Sequence, residues 1–101
     1  MRRGGPFVEE IVWDGWNLRH IAEHDVVAAQ VEQVLLGKPV FAGSYKDRLV
    51  AIGPDASERI LAVVIGPTPG TSTRFYVFSA RPASRKERRF YVESRQQGDG
   101  P

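Results

Sequence analysis

Two histidines, four arginines and a tyrosine are the side chains with which this chain of 101 residues could do chemistry. His20-Ile21-Ala22-Glu23-His24 spells H-x-x-E-H. At that spacing two imidazoles on one helix face can hold zinc, with the glutamate between them as a general base. The sequence has no third histidine, and so short a chain leaves little room for a peptidase cleft, so no metal is expected. Serines stand at 44, 57, 72, 79, 84 and 94, mostly in expected turns or caps, and none sits in a nucleophile elbow. Gly66-Pro67-Thr68-Pro69-Gly70-Thr71 is glycine-rich but has no lysine of the P-loop kind, so a phosphate cradle is not expected there.

Cleavage of RNA by its own 2′-hydroxyl is a better match. It needs a base, an acid and cations that stabilise the charged phosphorane, but no metal or cofactor. His20 and His24 could carry protons, and Arg48, Arg74, Arg81 and Arg88 could clamp phosphate. Tyr91 could donate a hydrogen bond or stack on a base. Each residue also has a plainer account. Arg81 could tie a strand end to the following helix, Tyr91 could be half-buried core, and the histidines could simply face solvent.

These side chains need elements to position them. Phe7 to Trp13 is apolar with β-branched residues and reads as a strand. Asp14 is a candidate N-cap for a helix over about Trp16 to His24, which would set Trp16, His20 and His24 along one side. A second helix is expected over about Ala28 to Leu36, with Val27, Val31, Val34 and Leu35 as its apolar stripe and Gly37 and Pro39 as its stop. Strands are expected at Val40–Tyr45, Arg48–Gly53, Arg59–Ile65 and Arg74–Ala80. In the last of these, Phe75, Val77 and Ser79 alternate with Tyr76, Phe78 and Ala80. The loops between them are short, which implies an antiparallel meander, and Arg59–Ile65, the most apolar strand, should be central. Ser84-Arg85-Lys86-Glu87 matches a capping box and starts a last helix, in which Phe90 would pack inward. The expectation is an α+β fold: an antiparallel sheet of four to five strands, with two N-terminal helices and one C-terminal helix on it. One domain would span residues 7–95, with flexible termini at 1–6 and 96–101.

Composition narrows the function classes. The absence of cysteine excludes disulfides and thiolate sites. The longest apolar run, Ile60 to Ile65, is far shorter than the roughly 18 residues of a membrane span. Arg2 and Arg3 precede Gly4-Gly5-Pro6 rather than an apolar core, so no secretory signal is expected. A cytoplasmic protein with no membrane contact is the expectation. The net charge of +2 is unevenly spread: residues 74–95 hold seven Lys/Arg against two Glu. Such a basic face suits RNA or an acidic protein partner, although a solvated helix face would look the same.

Trp13-Asp14, Asn17 and His24-x-Val26, followed by Ser79-Ala80-Arg81-x-Ala83-Ser84-x-x-Glu87-Arg88-x-x-Tyr91, resemble the opening and closing motifs of the BrnT-type toxins. These belong to BrnT–BrnA toxin–antitoxin pairs and share the RelE/ParE-like fold. The resemblance covers about residues 11–92. It implies a type II toxin that cleaves RNA without metal and slows translation until a small DNA-binding antitoxin sequesters it. Carried over by position, it implies His24, Arg81, Arg88 and Tyr91 as catalytic residues. Glu87 is a further motif residue, and with His20, Arg48 and Arg74 it falls on the substrate side. The chain departs from the family at Glu23-His24-Asp25, where Lys-His-Gly is common, and the two carboxylates set negative charge where a phosphate would approach. A non-catalytic RNA- or protein-binding domain on the same fold, and a gyrase-directed toxin, are the competing readings. The final helix, with Phe90 and Val92, could serve a homodimer or antitoxin contact, or belong to the core.

Overall fold

The computed structural model describes residues 6–43 and 46–98. Of the ends expected to be flexible, 1–6 and 96–101, residues 1–5 and 99–101 lie outside the described residues, as do the last two residues of the expected Val40–Tyr45 strand. The elements are β1 (Glu10–Val12), α1 (Gly15–Ala22), α2 (Ala28–Leu35), β2 (Val40–Gly43), β3 (Leu49–Pro54), β4 (Ile60–Pro67), β5 (Arg74–Pro82) and α3 (Arg85–Gly98). The sheet order is β1-β5-β4-β3-β2. β2 to β5 form the expected antiparallel meander, with β4 in the middle. β1 differs: it is only three residues long and runs parallel to β5, pairing Glu10 with Arg74 and Val12 with Tyr76. The sheet is therefore mixed. Two helices and three strands separate β1 from its partner in the chain, so nothing in a local pattern marks its direction.

Alternation along the central strands divides the core in two. Ala51, Leu61, Val63, Ile65, Phe75, Val77 and Ala80 pack with Ile21, Val26, Val31, Val34 and Leu35 of the α1–α2 layer. Ile52, Ala62 and Ala83 form a smaller cluster on the opposite face, with Val40, Val50, Ile60 and Tyr91 against it. The sheet thus carries α1 and α2 on one face and α3 on the other. In α3 it is Tyr91 that packs, whereas Phe90 is 38% exposed. The expected inward Phe90 is therefore replaced by its neighbour, because one position along a helix turns the side chain by about 100°.

Local chemistry explains the element ends. Asp14 caps α1: its carboxylate accepts from the Asn17 N–H, and the Asn17 side chain accepts from the Asp14 N–H, both at 2.9 Å. The buried Asn17 amide also donates to the Val12 carbonyl, fixing the turn from β1 into α1. The helix ends two residues earlier than expected, and Asp25 follows in the left-handed region at φ 62°. Asp55 organises the β3–β4 turn by accepting from the Ser57 N–H and hydroxyl, the Arg59 N–H and the Gln30 amide. Ser84 and Glu87 form the expected capping box, with Ser84 N–H donating at 2.8 Å and Glu87 N–H at 3.1 Å. α3 then continues to Gly98, past the residue-95 boundary expected from sequence.

Candidate nucleic-acid interface

α3 covers only part of its sheet face. The remainder, along β5 and the end of β4, is open, and a bulge decides what it displays. Ser79 pairs with Val64 and Val77 with Ile65, so Phe78 is an extra residue on β5. An extra residue shifts the alternation by one. Phe75, Val77 and Ala80 therefore share the α1–α2 face, which corrects the expected grouping of Ser79 with Phe75 and Val77. Arg81 pairs with Ala62, so it lies on the α3 face.

Three aromatic and cationic side chains follow one another on this face. The Tyr76 and Phe78 rings meet edge to face with centroids 5.0 Å apart. The Arg48 guanidinium carbon stands 3.7 Å over the centre of the Phe78 ring. Beneath them lies Gly66 of β4, where a Cβ would come within 2.9 Å of the Phe78 ring. Gly66 thus leaves the room in which Phe78 lies. Lys46, Asp47, Arg48, Gly66, Pro67 and Phe78 line a shallow depression here. The Tyr76 hydroxyl donates to both carboxylate oxygens of Asp14, at 3.1 and 2.9 Å. Asp14 is lowered from its ordinary value, chiefly by the Asn17 N–H and also by Tyr76. Tyr76 is raised by burial and by its bond to Asp14.

The arginines expected to clamp phosphate are not equally available. Arg81 forms a two-pronged ion pair with Glu87: Nη1 donates to Oε1 at 2.7 Å and Nη2 to Oε2 at 2.9 Å. That pair, with the Ser84 N–H, takes the Glu87 carboxyl from 4.5 to about 2, against the opposing effect of burial. Arg88 donates to the Ala83 carbonyl at 2.9 Å. Arg74 is exposed and donates through Nε to the Thr68 hydroxyl at 3.3 Å. Among the described residues Arg48 has no hydrogen bond or ion pair, and its ring contact leaves its N–H edge open. Tyr91 packs on the smaller core cluster.

His20 and His24 stand elsewhere. They belong to α1 and the turn after it, on the helix layer of the other face. Trp16 stacks on His20 at 4.7 Å, and His20 meets His24 edge to face at 6.3 Å. The expected single-sided ladder therefore forms. His20 Nδ1 lies 3.8 Å from Glu23 Oε1. Among the described residues neither histidine bonds to Arg81, Arg88 or Tyr91. No group of three His, Cys, Asp or Glu is placed to hold a metal among the described residues. No helix there is long and apolar enough to cross a membrane. The structure thus brings Arg81, Glu87, Arg88 and Tyr91 to the β5–α3 junction. It brings Arg48 and Arg74 to the open sheet face and leaves both histidines apart. Phe78 and Tyr76 were missed as site residues, although the run Arg74-Phe75-Tyr76-Val77-Phe78-Ser79-Ala80-Arg81, aromatics between two cations, carried a signal.

The fold and this face define a class: a small α+β protein with a meander closed by a parallel first strand, helices on both faces, and one cationic, aromatic stretch of sheet left open. Among solved structures the chain is similar to the Brucella abortus ribonuclease toxin BrnT, known from a 1.1 Å crystal structure, with a TM-score of 0.60 and 32% identity over 75% of this chain and 97% of that one. A scan of family models and a search of curated proteins gave no match. With that identity and coverage, the chain belongs to the BrnT toxin family.

Proposed function

We propose that this chain is the toxin of a type II toxin–antitoxin pair: a metal-independent endoribonuclease that acts in the cytoplasm, slows translation and is sequestered by a small DNA-binding antitoxin. The observation that carries this reading is the open sheet face, where Arg48 and Arg74 lie beside Tyr76 and Phe78, in a relative of a ribonuclease toxin. Cations on such a face hold the RNA backbone and stabilise the charge that develops as the 2′-oxygen attacks phosphorus. His24 and His20 are the proposed proton carriers. Arg81, Arg88 and Tyr91 shape the β5–α3 junction, away from the histidines, and Glu87 holds Arg81 in place. Induced expression of the wild type is expected to arrest growth and shorten transcripts. The purified protein is expected to cut RNA in EDTA and to lose that activity on His24→Ala. If growth and transcripts are unaffected and no cleavage occurs, the enzyme reading fails.

A second reading has its own support. Glu87 occupies both terminal nitrogens of Arg81, one nitrogen of Arg88 bonds a backbone carbonyl, and neither histidine contacts them. A non-catalytic RNA-binding domain would need no more than the open face. It predicts salt-sensitive binding of RNA without cleavage at any protein concentration.

A further inference from the structure

We infer that the depression between the turn before β3 and the strands β4 and β5 is a nucleotide subsite for single-stranded RNA, in which Arg48 is the phosphate contact and Phe78 is the residue that positions it. This rests on the RNA-binding reading above and names where that binding is concentrated. Of the four arginines expected to meet phosphate, Arg81 has both terminal nitrogens committed to Glu87, while Arg88 and Arg74 each commit one nitrogen, to the Ala83 carbonyl and the Thr68 hydroxyl. Arg48 is held differently. Its flat face rests on the Phe78 ring at 3.7 Å, a contact that costs no N–H donor. A guanidinium fixed by its face presents its edge to a phosphate and its outer plane to a base, and stacking on such planes is a common way to hold unpaired RNA bases. The ring is fixed in turn. Tyr76 meets its edge at 5.0 Å, and Gly66 opens the space it fills. Tyr76 is itself anchored to Asp14. The charge of the lining is favourable to an anion, since Lys46 and Arg48 outnumber Asp47. A duplex would have to bring its backbone to a shallow, narrow depression, whereas a single strand can lay one nucleotide into it.

The test is the affinity of the full chain for a labelled single-stranded 12-nucleotide RNA of mixed sequence, measured across a salt series beside the thermal midpoint of each variant. Arg48→Ala is expected to bind about tenfold more weakly. Its salt slope should fall by about 0.7, the value for one phosphate contact on a single strand. Arg48→Lys is expected to keep the slope but recover only part of the affinity, because an ammonium lacks the plane. Phe78→Leu is expected to weaken binding about two- to fivefold with little change in slope, while Phe78→Tyr stays near the wild type. If the wild type binds and Arg48→Ala binds equally well, this inference fails and the wider RNA reading stands. The same holds if Arg48→Ala loses only the capture of an acidic protein segment. If Phe78→Leu loses thermal stability but no affinity, the positioning role fails. If the wild type binds no RNA at all, both fall together.

Discussion

Arg81 and Arg48 begin from the same side chain and reach opposite states. Arg81 closes β5 onto α3 through Glu87, and that carboxylate also completes the cap with Ser84. Its plainer sequence account, a tie between strand end and helix, is therefore what the geometry displays. The consequence can be read in acid. A carboxyl held at about 2 in the folded chain, against an ordinary 4.5, contributes stability that is fully present above the higher value. That stability is lost as pH falls from about 4.5 towards 2, since the unfolded chain takes up the proton first. Arg81 is 40% exposed at its side chain, so solvent screens the pair. The contribution is on the order of 1 kcal/mol. Glu87→Gln should cost that amount at pH 7 in urea unfolding, and should flatten the wild type's decline between pH 4.5 and 2. A variant that keeps the full acid limb would show that the pair contributes nothing.

At the scale of elements, the β4–β5 pair does the most to shape the open face. Gly66 faces Tyr76 in register and sits under Phe78. In Gly66→Ala the new methyl would stand 2.9 Å from the ring, so the ring must move, and with it the Arg48 guanidinium stacked on it. The expected outcome is RNA binding weakened several-fold with a stability loss of roughly 1 kcal/mol, since the ring is half-buried and can shift outward. Unchanged affinity would mean that the depression does not touch RNA. The elements themselves were largely legible in the sequence. Asp14 and Ser84 with Glu87 act within a few residues and each marked its helix start, while Gly37 and Pro39 follow the end of α2 at Leu35 without Gly37 taking a left-handed turn. The early end of α1 was not legible, because Glu23 and His24 are compatible with helix, and the left-handed turn at Asp25 serves to bring Val26 into the core.

Across the whole molecule the basic residues are concentrated late in the chain. α3 brings Arg85, Lys86 and Arg89 to the surface, all exposed. Such a field raises the encounter rate with a polyanion without deciding what is bound. The double variant Arg85→Glu with Arg89→Glu should slow RNA association and flatten its salt dependence, and it should leave the thermal midpoint nearly unchanged. An unaltered association rate would place the binding surface away from α3. Phe90 and Val92 remain on the same helix at 38% and 47% exposure. The sequence left them open between core and contact, and the fold puts both at the surface.

The sequence by itself determined the class of fold, the order of the elements, the caps, and the motifs that carry the family. These depend on neighbours three or four residues apart, or on a period of two or 3.6, and are written in the chain directly. Only the tertiary structure decided the direction of β1 and which arginines are spent. It also decided the face on which Arg81 lies. Strict alternation would set Arg74 and Arg81 on opposite faces of β5, and the bulge at Phe78 brings them to the same one. One inserted residue reverses every later side chain in a strand. Its position depends on pairing with β4, across a turn, rather than on β5 alone. The run around Arg81 that marked the family thus holds an ion pair with Glu87, and of the four arginines expected to meet phosphate it is Arg48 that has no hydrogen bond among the described residues, its face on a ring thirty residues further along the chain.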